Sequence, residues 1–300
     1  MYYHAFNNMR KGAGECWLLF DCKNLIIKRK DVDIMAKFIQ GVTNYDEWRD
    51  HAKDNKKYLE RMAIISELLS RKDDLDIIDQ YRLAQCLTVS ELSGKLEFFY
   101  AISTSVLMNP ICQARACKDG CICKDCYAAN GAARFSALCQ SLETNYLILN
   151  NFLLSEEALA TVAMPSTNGC GRIESHGDVA TEICAINYVR FIRSHRYLTF
   201  GVWTKNLHLY KRVFETEGKP DNMIFIASSP IVNEVMELPE WAKKYVDHIF
   251  TVYDPEYAKE HNININCGTW EGHDLDHKCI NCMKCYTKGN TDYFINELKK

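Results

Sequence analysis

Residues 171–204 read GRIESHGDVATEICAINYVRFIRSHRYLTFGVWT, and this stretch decides the fold of the chain. Its first and last segments, GRIES and YLTFGVWT, are short apolar runs typical of buried strands. Between them, Asp178 is a plausible helix N-cap, and apolar side chains recur at helical spacing. These side chains are Val179, Ile183, Ile186, Val189 and Ile192. A strand–helix–strand unit of this length joins two parallel strands of one sheet.

The same unit repeats on both sides of this stretch. Further strands are predicted at LEFFYAIST (96–104), NMIFIASS (222–229) and IFTVYD (249–254). Helices are predicted at 128–154, at 207–217, where Gly218 ends the helix, and at 231–248. Alternating units of this kind build an α/β fold, which we predict to be a partial (β/α) barrel of parallel strands.

Three regions follow from this pattern. Residues 1–94 are predicted to be mainly helical, with a hairpin at 17–29 and one buried helical face. That face would consist of Leu75, Ile78, Leu83 and Leu87. Residues 95–260 form the barrel, with a cysteine-rich loop at 109–127. Residues 261–300 form a cysteine-rich tail that ends in a short helix, TDYFINELKK.

Composition excludes several classes of protein. With 300 residues and 47% hydrophobic content, the chain can bury one large core or two modest ones. A net charge of -3 does not indicate a nucleic-acid partner. No apolar run has the length of a signal peptide or of a membrane span, so we expect a cytoplasmic protein without membrane contact.

The chain has 15 cysteines, an odd number. In a reducing compartment, clustered cysteines are metal ligands more often than disulfides, whereas single cysteines fill the core. The single ones are Cys16, Cys22, Cys86, Cys139, Cys170 and Cys184.

The C-terminal cysteines have the spacing of an iron–sulfur site. Cys279, Cys282 and Cys285 form C-x2-C-x2-C, and Cys267 is the natural fourth ligand. Four protein thiolates would saturate a cluster, which suits electron transfer or a structural role.

The loop cysteines are less regular. We prefer Cys112, Cys123 and Cys126 as ligands, while Cys117 and Cys121 could replace or supplement them. Three thiolates would leave one iron free to bind a small molecule, which is a catalytic arrangement.

Zinc is the alternative metal. The C-x2-C pair Cys123 and Cys126 could join Cys282 and Cys285 in one tetrahedral site, or each group could bind its own zinc. The adjacent C-x2-C spacings in the tail favour an iron–sulfur cube, since zinc sites usually combine one such pair with a distant second pair.

Polar side chains cluster where the predicted strands end. Because active sites of parallel sheets lie at the carboxyl ends of strands, these residues are the candidates for a site. They are Ser103, Thr104, Ser105, Glu174, Ser175, His176, Asp178, Trp203, Thr204, Lys205, Ser228, Ser229, Tyr253 and Asp254.

Residues 95–290 resemble a known family. The segments AISTSVLMNPICQ and CICKDCYAA, followed by RIESHGD, FGVWTKN, IASSP, FTVYD and the terminal C-x2-C-x2-CY, are similar to an uncharacterised phage protein family called gene product eighty-eight. More remotely, the chain resembles radical S-adenosylmethionine enzymes, including spore photoproduct lyase.

This resemblance implies a [4Fe–4S] cluster on Cys112, Cys123 and Cys126, S-adenosylmethionine on its free iron, and a second cluster in the tail. Glu174 and Gly177 match a motif that holds the methionyl amine, and Ser103 and Trp203 are further cofactor-binding candidates. His176, Asp178 and Lys205 are catalytic candidates. A flavodoxin or ferredoxin would donate electrons in the bacterial host, and the substrate is unknown.

A second interpretation needs no catalysis. The chain would be a zinc- or cluster-stabilised phage or mobile-element protein that binds a host factor. Its helical first third would then be the interaction surface.

Overall fold

A seven-stranded sheet forms the centre of the computed structural model, which describes residues 55–165, 169–267, 278–289 and 293–299. The strands lie in the sheet in their order along the chain. They are β1 (Ser90–Glu91), β2 (Phe99–Ile102), β3 (Cys170–Ile173), β4 (Thr199–Thr204), β5 (Met223–Ser228), β6 (His248–Tyr253) and β7 (Phe294–Leu298).

Helices connect most of the strands. They are α1 (Lys56–Leu69), α2 (Ile77–Cys86), α3 (Pro110–Ala116), α4 (Tyr127–Arg134), α5 (Ser136–Asn151), α6 (Glu156–Leu159), α7 (Glu182–Ser194), α8 (Leu207–Thr216), α9 (Glu240–Lys243), α10 (Pro255–Glu260) and α11 (Cys279–Cys282).

The sheet is parallel except at one edge. β1 pairs antiparallel with β2, and every later pair from β2–β3 to β6–β7 is parallel. Ile102, Ile173 and Val202 lie at one level of the sheet, in register across β2, β3 and β4. Because crossover connections between parallel strands are right-handed, a strand order that follows the chain puts the crossovers on one face. We call it the helix face and the other the inner face.

The main core lies on the helix face. Its strand side chains include Ile102, Ile173 and Val202, which are at most 2% exposed. Leu68 of α1 and Leu83 of α2 belong to the same cluster and are fully buried. The first described helices therefore share one core with the sheet.

The tail covers part of the inner face. Tyr286, which directly follows Cys285, packs on Phe99 of β2 with ring centroids 4.6 Å apart. It also contacts Trp203 of β4 at 5.4 Å. A Cβ atom at Gly201 would lie 2.8 Å from the Tyr286 ring, so only glycine leaves room for this contact.

Most predicted elements are confirmed. Each predicted strand of the parallel series forms, and β2 and β5 are buried at every position. The helix predicted at 207–217 forms as α8, and Gly218 follows it with a φ of +74°. The helix predicted at 128–154 is two helices, α4 and α5, because Phe135 between them has extended backbone.

Two predicted helices are wrong. The segment 231–248 forms only the four-residue helix α9, since its first residues pair with the cysteine loop instead. The C-terminal TDYFINELKK holds strand β7, because β6 has an open edge that this segment completes by parallel pairing. The amphipathic sequence pattern of each segment contains no information about these distant pairing partners.

Two smaller predictions are also wrong. Asp178 is not the N-cap of α7; Thr181 is, and its side chain accepts a hydrogen bond from the Cys184 N–H. Val179 therefore lies before the helix. Ile78 is 61% exposed, so it does not belong to the buried face with Leu83 and Leu87.

The cysteines are free thiols in every described case. The predicted core cysteines Cys86, Cys139, Cys170 and Cys184 are all buried, as expected. Cys16, Cys22 and the predicted hairpin at 17–29 lie outside the described residues. Among the described helices, none is long and apolar enough to cross a membrane.

Candidate metal and cofactor site

The carboxyl ends of β2 and β3 are locked together by Glu174. This residue follows β3 with a φ of +59°, in the left-handed region. Its carboxylate accepts hydrogen bonds from the Thr104 N–H at 2.8 Å, the Thr104 hydroxyl at 2.5 Å and the Tyr188 hydroxyl at 2.7 Å. Burial raises the pKa of Glu174 to about 7, although these hydrogen bonds oppose the shift.

Gly177 is required by the packing around Glu174. A Cβ atom at this position would lie 2.3 Å from the Glu174 Oε2 atom and 2.7 Å from the Thr104 carbonyl oxygen. Both distances are far below van der Waals contact, so a larger residue would displace the carboxylate. The predicted pair Glu174 and Gly177 is thus in direct contact, and the carboxylate of Glu174 faces Thr104 and Tyr188.

Asp178 is the centre of a second network. Its Oδ1 atom accepts hydrogen bonds from the Thr204 hydroxyl at 2.7 Å and the Val179 N–H at 2.9 Å. Its Oδ2 atom accepts from the Lys205 N–H at 2.9 Å and from Arg115 at 3.2 Å. Four donors therefore fix this carboxylate between β3, β4 and α3.

Arg115 and Asn109 attach helix α3 to this network. Arg115 donates to the Lys205 carbonyl at 2.9 Å and to the Asn206 side chain at 2.6 Å. Asn109 caps α3 by accepting from the Cys112 N–H, and its amide donates to the Asp178 carbonyl at 2.7 Å. The network thereby holds Cys112, in the first turn of α3, beside the carboxyl ends of the strands.

Sequence reasoning missed Arg115. Its role depends on contacts with residues that lie 63 and 91 positions away, to Asp178 and Asn206. A local signal was available only for Asn109, whose position before Pro110 is typical of a helix start.

The cysteine loop is anchored to the segment that follows β5. The Ile122 N–H donates to the Pro230 carbonyl at 2.9 Å, and the Val232 N–H donates to the Gly120 carbonyl at 3.1 Å. Cys121 forms an isolated antiparallel bridge with Ile231 in the same place. These hydrogen bonds occupy backbone groups of the residues at which the predicted helix would have begun.

Three loop thiols and one lysine interact. Burial raises the pKa of Cys112 well above its usual range, and Asp178 adds to this. A hydrogen bond between Cys121 and Cys123 lowers the pKa of Cys121 to about 6 and raises that of Cys123. Burial works against the charge of Lys205, but Cys123, Asp178 and Cys112 outweigh it and raise its pKa.

The remaining loop cysteines differ in exposure. Cys126 is half-buried and acts electrostatically on Cys112. Cys117 is exposed. The structure thus brings Cys112, Cys123 and Cys126 into one region, adds the buried Cys121, and leaves Cys117 on the surface.

The four tail thiols also lie close enough to one another to interact electrostatically. Burial raises the pKa of Cys279 to about 11 and that of Cys285 to about 12. Cys267 and Cys282 add to both shifts. Cys267 is fixed to the sheet, since its N–H donates to the Asn296 carbonyl of β7 at 3.0 Å.

Four further predicted site residues, Ser103, Ser175, His176 and Trp203, lie near the inner face. Ser103 and Ser175 are joined by a 3.1 Å hydrogen bond, and Ser175 contacts His176 Nδ1 at 2.9 Å. Burial and the charge of Arg172 lower the pKa of His176. Trp203 is half-buried beneath the guanidinium of Arg172, which lies 4.2 Å from the ring centroid.

Within the described residues, no three His, Cys, Asp or Glu side chains are already arranged to hold a metal ion. The donor chemistry nevertheless fits a soft metal, because each group consists of thiols and the loop group has the half-buried cation of Lys205 beside it. Thiols suit a soft metal better than the hard ions Ca²⁺ and Mg²⁺, which prefer oxygen ligands.

Comparison with known proteins identifies the family. The family model for gene product 88 matches residues 82–291, which is more than half of the chain and spans both cysteine groups. No curated protein and no solved structure matches the chain. The matched region begins within α2 and ends before β7, so it includes strands β1 to β6. The chain therefore belongs to the gene product 88 family.

Proposed function

We propose that this protein is an iron–sulfur protein with an open [4Fe–4S] cluster in the loop and a closed one in the tail, and that it works as a radical S-adenosylmethionine enzyme. The single observation that carries the proposal is that Cys112 and Cys123 both lie close enough to the half-buried Lys205, at the carboxyl ends of the strands, to stabilise its charge. The substrate of the protein is unknown. We expect the protein to occur in a reducing compartment such as the host cytoplasm, where thiols stay available to metals.

A partial (β/α) barrel would suit this activity. Five parallel pairings in chain order, with crossovers on one face, are the arrangement from which such barrels are built. The inner face would then be the barrel interior, and the cysteine loop would lie at its mouth. The tail, through Tyr286, would cover part of that interior.

Two sites are favoured over one shared site. The thiols that act on Cys112 and Cys123 are those of the loop, and the thiols that act on Cys279 and Cys285 are those of the tail. A single zinc site that joined Cys123 and Cys126 to Cys282 and Cys285 would require the two groups to meet. The spacing of the tail cysteines further favours an iron–sulfur cube over zinc.

In the loop site, Cys112, Cys123 and Cys126 would hold the cluster, with one iron left for S-adenosylmethionine. When bound, this pair supplies a radical that abstracts hydrogen from a substrate. Lys205 would balance the negative charge of the thiolates, while Asp178 and Arg115 hold α3, and with it Cys112, in place. These interactions position the ligands before any metal arrives.

The remaining candidates have narrower roles. Glu174 has a buried carboxyl with a pKa near 7. It would position the cofactor's amine indirectly, by fixing the backbone at the carboxyl ends of β2 and β3. His176 lies beside Ser175, and its ring centroid is 6.1 Å from that of Tyr127, next to Cys126. His176 would thus face the substrate region, and a flavodoxin or ferredoxin would supply electrons.

The test is anaerobic purification followed by metal, acid-labile sulfide and visible-absorbance measurements. We expect iron, sulfide and a broad brown shoulder, which Cys126→Ser reduces and Cys117→Ser leaves unchanged because Cys117 is exposed. Reconstituted protein should form 5′-deoxyadenosine from S-adenosylmethionine under dithionite. A colourless protein that contains zinc would instead support the non-catalytic binding module.

A further inference from the structure

Arg172 places a positive charge on the inner face of β3. Within the described residues it forms no ion pair, and its Nε atom is buried without a hydrogen-bond partner. The guanidinium lies 4.2 Å from the centroid of the Trp203 ring, which fixes its position. Burying an uncompensated charge is costly, so a negative group near Arg172 is to be expected.

The side chains around Arg172 show where that negative charge would lie. Tyr286 packs on Trp203, the same ring that Arg172 covers. Cys279 and Cys285 pack, together with Trp203, against the buried cluster of Phe99, Cys170 and Tyr286. The charge of Arg172 acts on both of these thiols. Two of the tail cysteines therefore lie close to this guanidinium.

Lys95 is the other cation that acts on Cys279, but its situation differs. Its ammonium already forms an ion pair with Glu297 of β7 at 2.5 Å. The charge of Lys95 is therefore largely balanced within the protein. Arg172 has no such carboxylate among the described ion pairs.

We propose that the half-buried Arg172 is the counter-ion of the tail metal centre, so that its charge sets how tightly that centre is held. This inference rests on the proposed tail site. Four thiolates around a zinc ion or an iron–sulfur cube leave a net negative charge. The guanidinium of Arg172, which lies over the Trp203 ring on which Tyr286 packs, would neutralise part of it.

The experiment uses full-length protein in which Cys112, Cys123 and Cys126 are serine, so that the bound metal belongs to the tail. Arg172→Met removes the charge, and Arg172→Lys keeps it. Metal retained against a chelator at fixed pH is measured for each. Because loss of an outer partner typically weakens metal binding about 10–100-fold, we expect that loss in Arg172→Met and less than about threefold in Arg172→Lys.

A second readout is independent of affinity. If the metal is an iron–sulfur cluster, Arg172→Met should lower its midpoint potential, since a nearby positive charge favours the reduced form. Lys95→Met should shift the potential less, because Glu297 already balances that lysine. Arg172→Gln serves as the second neutral variant should Arg172→Met fold poorly, as judged by circular dichroism.

The outcomes separate two failures. If the protein with serine at Cys112, Cys123 and Cys126 holds no metal, both the tail site and the role of Arg172 are contradicted. If that protein holds metal and the neutral Arg172 variants retain it equally well, only the role of Arg172 is contradicted. Equal loss in Arg172→Lys and Arg172→Met would also overturn it, since shape rather than charge would then matter.

Discussion

Arg115 and Asp178 form an ion pair at 3.2 Å that joins helix α3 to the turn after β3. Both side chains are shielded, with 16% and 4% of their areas exposed. Because α3 carries Cys112, this pair connects the position of a candidate metal ligand to the sheet.

Asp178→Asn should destabilise the fold by about 3 kcal/mol, since removing one partner leaves a shielded charge on Arg115 without compensation. Urea unfolding followed by circular dichroism measures this. The matched control is Glu60→Gln, which breaks the exposed pair with Lys56 and should cost less than about 0.5 kcal/mol. Similar costs for the two variants would mean that the Arg115–Asp178 pair contributes no more than a surface pair.

Gly177→Ala should destabilise the protein by about 1–3 kcal/mol, because the added methyl group would overlap the Glu174 carboxylate. Gly131→Ala is the control. Its Cβ atom would lie 3.9 Å from Leu138, and Gly131 sits within α4, so alanine should be neutral or stabilising. Thermal unfolding of both variants checks this, and a neutral Gly177→Ala would contradict the close packing.

The stability of the protein should depend on the ionisation of Glu174. Its pKa is raised from 4.5 to about 7 on folding, so the folded state binds the extra proton between these values. Stability should therefore fall by roughly 3 kcal/mol as pH rises from about 4.5 through 7, and then level off. Unfolding free energies of wild type and Glu174→Gln across this range measure the difference.

Tyr188→Phe provides the control for this pH dependence. The Tyr188 hydroxyl stabilises the ionised carboxylate, so its removal should extend the fall in stability to higher pH. A wild-type protein whose stability relative to Glu174→Gln is the same at pH 4.5 and 7.5 would contradict the raised pKa.

Cys121→Ser should alter the absorbance of the loop cluster, whereas Cys117→Ser should not. Cys121 is buried, is hydrogen-bonded to Cys123 and is anchored beside Ile231, while Cys117 is exposed. Visible spectra and iron content of anaerobically purified variants decide this. Identical spectra in both variants would show that Cys121 neither binds metal nor positions Cys123.

The sequence predicts the parallel strands well because their apolar runs are local. Every residue of β5, which forms within the run at 222–229, is buried. The run is also shorter than most helices. The candidate loop ligands Cys112, Cys123 and Cys126 can also be proposed from the sequence, since thiol spacing is visible in the chain itself. Local pattern was sufficient to predict these strands.

Contacts between distant segments could not be predicted in this way. The segment after Pro230 has a helical pattern, yet its backbone pairs with Gly120 and Ile122. Phe294–Leu298 becomes a strand because β6 offers an edge, 41 or more positions earlier in the chain. The sequence around Arg115 and Arg172 does not indicate what these residues do. The role of Arg115 depends on its contact with Asp178, and the role proposed for Arg172 depends on the tail.

The most direct test of the central claim is the iron and acid-labile sulfide content of two anaerobically reconstituted variants, one lacking Cys279, Cys282 and Cys285 and one lacking Cys112, Cys123 and Cys126. We predict about four irons and four sulfides per chain in each, and a change in the electron paramagnetic resonance of the reduced first variant when S-adenosylmethionine is added. Absence of iron and sulfide from the first variant would contradict an open cluster on the loop.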